Sequence, residues 1–398
     1  MTSKTDRPPG TISSLVQPQF LGRVPGRSVG TSQRTACRIF IALVFLLASV
    51  GQTIGAKKPP PKKETPKDLA KKAAGLVKQW SNSLVFVEGK HGSGSGFVCT
   101  LGEAKVLITN VHVLAGEQNE TFTLLDRAPL QLGAGALAVD HDIAIFAVTS
   151  DTKPFQFMDA VETNATIGDA VVVLGNAGGA HVIHPVLGKI SGIGPNLVEV
   201  DAPFQPGNSG SPIIHLHSGK VIGVATYATT PNFSIMNMGT AFKHVRRFGY
   251  RIDSIKKWQP FDAQNFWRQN EQLKSSTKLS HDLFEMWPDL ASRGQLTPGL
   301  HDNPAIKKAV ADYIAATKSA KQSANLEAPR QSLILALRAA SQTDMMQTKA
   351  RVTIDYFLRH AGDEAAKRES FFEAFEKLLK VQAANLGQSQ ESPGVRRR

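Results

Sequence analysis

From Ser83 to about Phe248 the chain is cut into short β-rich runs separated by Gly, Asn and Asp turns, and this texture constrains the fold more than any other feature. The runs are 84–87, 96–101, 106–109, 122–125, 143–148, 170–174, 197–200, 212–216 and 221–226. Strands this short, at this spacing and without intervening helices, predict a β-sandwich or barrel. Apolar residues make up 41% of the chain, enough to fill such a core.

Three motifs inside this stretch carry chemistry. Gly207-Asn208-Ser209-Gly210-Ser211-Pro212 lies between two of the runs. Glycines on both sides of a serine allow a tight turn that exposes Oγ and lets backbone N–H groups converge beside it. Those of Gly207 and Ser209 can bind the oxyanion of a tetrahedral intermediate. A Gly/Ser turn is common in any β protein, so this motif alone is weak. Thr109-Asn110-Val111-His112 follows the apolar run 106–108 and supplies a base, which a serine hydroxyl needs before it can attack. Asp140-His141-Asp142-Ile143-Ala144 follows and supplies a carboxylate to orient the imidazole. The chain order His, Asp, Ser is that of the chymotrypsin type.

These residues resemble trypsin-like serine proteases of the HtrA type. The matching pieces are Gly92-Ser93-Gly94-Ser95-Gly96-Phe97-Val98, Ile108-Thr109-Asn110-Val111-His112-Val113, Asp142-Ile143-Ala144, Leu174-Gly175-Asn176 and Asp201-Ala202-Pro203-Phe204-Gln205-Pro206-Gly207-Asn208-Ser209-Gly210-Ser211-Pro212, extended by Gly223-Val224-Ala225-Thr226 and Gly239-Thr240-Ala241-Phe242. The resemblance implies a mainly β, chymotrypsin-type double six-stranded β-barrel. It implies a serine endopeptidase that cuts protein or peptide substrates through an acyl-enzyme intermediate. His112 would be the general base, Asp142 the orienting acid and Ser209 the nucleophile, with the Gly207 and Ser209 amides as oxyanion hole. Asp140 competes with Asp142, which is preferred because Ile143-Ala144 follows it as in the family. By the same resemblance the pocket for the side chain before the scissile bond is built from Pro203, Ala225, Thr226 and Tyr227. No acid stands at its floor, so cleavage after small or medium aliphatic residues is expected. Two positions depart from the family: Ser211 replaces a usual Gly, and Val111 a usual Ala. A catalytically silent, peptide-binding or scaffold version of the same fold is the alternative.

No cofactor is expected, since side chains and backbone amides suffice for this chemistry. His215 and His217 have no third partner at a metal-ligand spacing, so no metal site is expected. Gly175-Asn176-Ala177-Gly178-Gly179 lacks a following helix and reads as a turn beside the active site rather than a phosphate cradle. The two cysteines, Cys37 and Cys99, exclude a disulfide framework, and Cys99 reads as a small buried apolar residue.

The formal net charge is +13, yet residues 1–79 alone hold 14 Lys/Arg against three Asp/Glu. The basicity therefore belongs to an N-terminal arm, and the nearly neutral body gives no nucleic-acid footprint. Within that arm the apolar run 39–50 follows Arg34 and Arg38, the pattern of an export signal; with 51–56 it approaches the length of an anchor. Export to the periplasm, cell envelope or exterior is expected, with cleavage or membrane association through 39–56 left open. A Lys/Pro linker follows, and then Leu69, Ala73, Leu76 and Trp80 at helical spacing.

Beyond 251 the period turns helical: Ile306, Val310, Tyr313 and Ile314; Leu333, Ile334 and Leu337; Val352, Tyr356 and Phe357; then Phe371, Phe375, Leu378 and Leu379 after a predicted cap at Asp363. The family's usual PDZ signature is not recognisable here, and a small bundle of three or four helices is expected instead. Its charged faces read as solvated, with homo-oligomer or partner contacts as the sharper reading. The resulting plan is a basic leader over 1–56, a linker with a short helix over 57–82, the protease domain over 83–250, a helical region over 251–386 and a disordered tail over 387–398.

Overall fold

The computed structural model describes residues 65–89, 92–116, 120–229, 245–293, 295–297, 302–319 and 326–388. The apolar run 39–56, the 239–242 motif and the tail beyond 388 lie outside the described residues.

Helix α1 (Pro66–Gln79) starts at Thr65, whose hydroxyl accepts from the Asp68 amide at 3.3 Å while the Asp68 carboxylate accepts from the Thr65 amide at 3.0 Å. This reciprocal cap, with Pro66 in the first turn, satisfies amides that a helix start leaves open. Ala73, Leu76 and Trp80 form its buried stripe, and Trp80 stacks on Phe155 with ring centroids 4.2 Å apart.

The strands that follow form two β units. The first holds β1 (Leu84–Glu88), β2 (Ser93–Leu101), β3 (Ala104–Thr109), β4 (Thr121–Leu124), β5 (Leu132–Ala138), β6 (Ala144–Val148) and β7 (Phe155–Gln156), with the short helix α2 (Val111–Gly116) between β3 and β4. After the one-turn helix α3 (Val161–Asn164), the second unit holds β8 (Ala170–Gly175), β9 (His184–Ile193), β10 (Leu197–Val200), β11 (Pro212–His215), β12 (Val221–Thr229) and β13 (Arg246–Tyr250). A last strand, β14 (Trp258–Pro260), returns to the first unit and pairs with β5.

The second unit closes as a six-stranded barrel in the order β10-β13-β12-β11-β8-β9. The first runs β14-β5-β6-β3-β2-β1-β4, with β7 pairing beside β2. This is the chymotrypsin-type arrangement, with one correction to the expectation of two six-stranded barrels: the first unit has eight strands and its path does not close, with β14 at the edge beside β5.

Both faces of the central strands β1, β2 and β3 are buried, which explains why 84–87, 97–99 and 106–108 are continuous apolar runs instead of alternating ones. Along β1, Leu84 and Phe86 face a core shared with the barrel, while Val85 and Val87 face the opposite core. On β2 and β3 the split repeats, with Phe97, Cys99, Val106 and Ile108 on the barrel side and Val98 and Leu107 on the other. The barrel interior is filled by Val171, Val173, Val198, Val200, Ile213 and Ala225 among others. Burial pushes the Cys99 thiol up to about 12, so it sits in the sheet as an inert apolar group.

Every described element past β14 is helical: α4 (Ala263–Arg293), α5 (Pro304–Ser319), α6 (Glu327–Arg351) and α7 (Asp355–Gln388). Their distal halves pack around Leu283, Met286, Val310, Leu337, Phe372 and Phe375. Arg368 is buried among them; its guanidinium donates to Asp344 at 2.9 Å and to the Ser276 and Ser280 hydroxyls at 2.8 and 2.7 Å. Two expectations need correction. Asp363 is not a cap but lies inside α7. The break falls earlier, where Val352 turns extended and the Gln269 side-chain oxygen accepts from the Thr353 and Ile354 amides at 2.8 and 2.9 Å. The helical region is also no free appendage: Phe266, Ile354, Tyr356, Phe357 and Ala361 complete the core on the open face of the first sheet.

Candidate active site

Strand β3 delivers the chain to buried Asn110 and then into α2, whose first turn carries His112. Val111, Leu114 and Ala115 anchor that short helix in the core, so the imidazole is held at a fixed place. His112 Nδ1 lies 2.6 Å from Asp142 Oδ2, and the His112 amide donates to Asp142 Oδ1 at 2.9 Å. One carboxylate thus grips both the ring and the backbone of the same residue. An ionised carboxylate can only accept, so the proton sits on Nδ1 and Nε2 is left free as a base. Burial disfavours the imidazolium, but the Asp142 charge and hydrogen bond outweigh it, and His112 is held above its ordinary pKa. Asp140, the competing acid, is exposed in a left-handed turn (φ 64°) and does not meet the histidine.

Asn110 ties this pair to the barrel. Its amide nitrogen donates to the Asp142 carbonyl at 2.7 Å and to Thr226 Oγ1 at 3.1 Å. Across the cleft, Ser209 sits in the loop between β10 and β11. Gly207 (φ 92°) and Gly210 (φ 87°) both need the left-handed region, and a Cβ on either would run into the Asn176 or Ser95 carbonyl. The loop is pinned at several points: the Ser95 amide donates to the Ser209 carbonyl at 2.8 Å, and the Gly210 amide to the Ala225 carbonyl at 2.8 Å. Ser209 Oγ donates to the Thr226 carbonyl at 3.4 Å, not to His112.

The Gly207 carbonyl is turned into the protein, where the buried Ser95 hydroxyl donates to it at 2.8 Å. Ser95 Oγ in turn accepts from the Asn176 amide at 2.9 Å. The neighbouring Pro206 carbonyl accepts from the Gly178 amide at 2.9 Å. With the carbonyls held inward, neither the Gly207 nor the Ser209 amide donates to another group among the described residues. Sequence reading placed the 175–179 turn beside the site but missed Ser95 as its link to Gly207. Ser211 is tolerated because it faces Gly175, where a Cβ would collide with Ser211 Oγ.

His112, Gly207 and Ser209 line one cleft of about 220 Å³, together with Val87, Gly94, Val113 and Glu120. The four expected pocket residues are not brought together there. Ala225 is turned into the barrel core and Pro203 is exposed. Tyr227 is partly exposed and stacks on Phe248, and Thr226 reaches the site through its backbone and hydroxyl. His215, considered and set aside as a metal ligand, meets Asp169 at 3.2 Å and Ser218 at 2.9 Å, while His217 lies in the turn beyond β11.

The trypsin-like peptidase domain family matches residues 94–224, the stretch that contains His112, Asp142 and Ser209. Residues 94–224 of the chain form a trypsin-like peptidase domain. Among curated relatives, it is 27% identical over 177 residues to Protease Do-like 1, chloroplastic, of Arabidopsis thaliana, covering 41% of this chain and 39% of that one. It is 29% identical over 160 residues to a probable periplasmic serine endoprotease, DegP-like, of Rickettsia conorii, covering 37% and 31%. The chain thus spans well under half the length of these relatives. A solved serine endoprotease from Yersinia pestis is similar at 22% identity and a TM-score of 0.35, over 48% of this chain and 63% of that one.

Proposed function

We propose that this chain is a serine endopeptidase acting on proteins outside the cytoplasm, with His112, Asp142 and Ser209 as its triad. The observation that carries the reading is the Asp142 carboxylate gripping His112 from both sides, in a cleft shared with Ser209 and two uncommitted amides. Rotation of the Ser209 side chain away from the Thr226 carbonyl brings Oγ toward His112 Nε2. Oγ attacks the scissile carbonyl as Nε2 takes its proton, and Asp142 stabilises the imidazolium that results. The Gly207 and Ser209 amides donate to the oxyanion. Collapse expels the amine, which takes the proton from His112, and water then hydrolyses the acyl-enzyme by the same route. A preference for a small or medium aliphatic residue before the scissile bond rests on the family resemblance, not on a pocket at Pro203, which is exposed.

The extracytoplasmic setting is supported by the basic-then-apolar pattern of 34–50 and by the periplasmic relatives' names. Among the described residues no helix is long and apolar enough to cross a membrane. The second reading is a silent peptide-binding module, favoured by the Ser209 hydroxyl resting on Thr226. A fluorophosphonate probe separates the two: wild-type chain becomes labelled at Ser209 and Ser209→Ala does not. Unlabelled wild type that still binds peptides establishes the silent module instead.

A further inference from the structure

The helical region reaches the two halves of the catalytic pair by separate hydrogen bonds. Asn270, on α4 and buried, donates its side-chain amide to the Ala115 carbonyl at 2.7 Å. Ala115 lies in the last turn of α2, three residues beyond His112. The carbonyls at a helix end lack intrahelical partners, and a six-residue helix gains much from one that is supplied. On α7, Asp355 accepts from the Asp140 amide at 2.9 Å, two residues before Asp142. The same carboxylate oxygen accepts from Arg359 Nε at 3.0 Å.

These two contacts are themselves joined. Gln269, the neighbour of Asn270, accepts from the Thr353 and Ile354 amides immediately ahead of Asp355. The path therefore closes on itself: α2, Asn270 and Gln269 of α4, the start of α7, the Asp140 turn, Asp142, and back to His112. Val111, where the family has Ala, fills the same core as Phe357 and Ala361 of α7. The charged and titratable groups gathered round this path are Tyr250 on β13, Tyr356, Arg359 and His360 on α7, and His141 beside Asp142.

We infer that Asn270 and Asp355 are positioning residues, through which the helical region sets the distance and angle between His112 and Asp142. Neither touches substrate. They act by holding α2 and the Asp140–Asp142 turn in one frame, because an error of an ångström between catalytic groups is costly to rate. The inference rests on the protease reading for its consequence in rate but not for its geometry, so its test has two arms.

In the full-length chain, Asn270→Ala and Asp355→Ala are compared with wild type, with Lys308→Ala, at an exposed side chain of α5, as control. The first arm follows the His112 ring by NMR titration, which needs no activity. The second measures the rate of fluorophosphonate labelling at Ser209. Both variants are expected to lower the His112 pKa toward its ordinary value and to slow labelling about tenfold or more. KM for a peptide substrate should be unchanged, and so should the control. Asp355→Asn keeps an oxygen for the Asp140 amide and restores most of both signals, a rescue that lost packing alone would not give. Should Asn270→Ala fail to fold, Asp355→Ala decides alone. A folded Asp355→Ala with wild-type titration and labelling overturns the inference. If wild type is never labelled but the His112 shift appears, the protease reading fails and the positioning stands.

Discussion

At the scale of single residues, the site depends on which group holds which proton. His112 is held above its ordinary pKa of 6.5 by Asp142. The imidazolium form strengthens the pair, so the pair's contribution to stability is fully present below the ordinary value and is lost as pH rises through the raised one. Catalysis runs the opposite way, since only neutral Nε2 accepts a proton. The rate is expected to climb with pH through a midpoint above 6.5, and Asp142→Asn to lower both the plateau, by about 10⁴-fold, and the midpoint. A pH–rate profile of kcat/KM checks the sign; a midpoint that stays put in the variant would count against Asp142. Ser95 makes a second residue-scale prediction. Its hydroxyl holds the Gly207 carbonyl inward, at the peptide between the two that carry the Gly207 and Ser209 amides, so Ser95→Ala loosens the loop that aims both and should lower kcat about 10–10²-fold with little change in KM. Equal wild-type and variant turnover would show that the loop needs no such tie.

Among the elements, α7 does the most varied work. Its first turn both bonds the Asp140 amide and packs Tyr356 and Phe357 on the first sheet, and its distal half closes the helical core. Phe357 is fully buried between Phe266 and the sheet, so Phe357→Ala is expected to cost about 3–5 kcal/mol by chemical denaturation. A loss under 1 kcal/mol would mean that this seam is loosely packed. Elements also mark where sequence reading stopped. Strand β5 was missed because Gly133 and Gly135 interrupt its apolar pattern, and a Cβ at Gly135 would strike the Phe146 ring of β6. Strand β9 was missed because Pro185, Gly188 and side chains that are almost all exposed or only partly buried hide its period. Helix α4 went uncalled because much of its length is polar, although it supplies Gln269 and Asn270.

For the whole molecule, the consequence is mutual dependence. Removing everything after Phe261 would uncover the face bearing Val85, Val87, Val98 and Leu107. Apolar surface of that extent is expected to make a 65–261 fragment aggregate or unfold, whereas the full chain stays folded. Size-exclusion chromatography and circular dichroism of the two chains would decide. A monomeric, folded fragment would show that the first sheet tolerates water on that face.

The linear chain determined the short strands, the order His112, Asp142, Ser209, the glycines that shape the nucleophile turn, and a helical stretch beyond 251. Each of these is written in neighbouring residues, through period, turn chemistry or motif. The grip of Asp142 on both ring and backbone of His112, the Ser95 tie, the open first sheet closed over by helices, and the path from Asn270 to Asp355 belong to the tertiary structure alone. They join groups from 30 to 215 residues apart by single hydrogen bonds. A backbone carbonyl that accepts such a bond, or an amide that donates one, is alike from residue to residue, so nothing in the local sequence announces it.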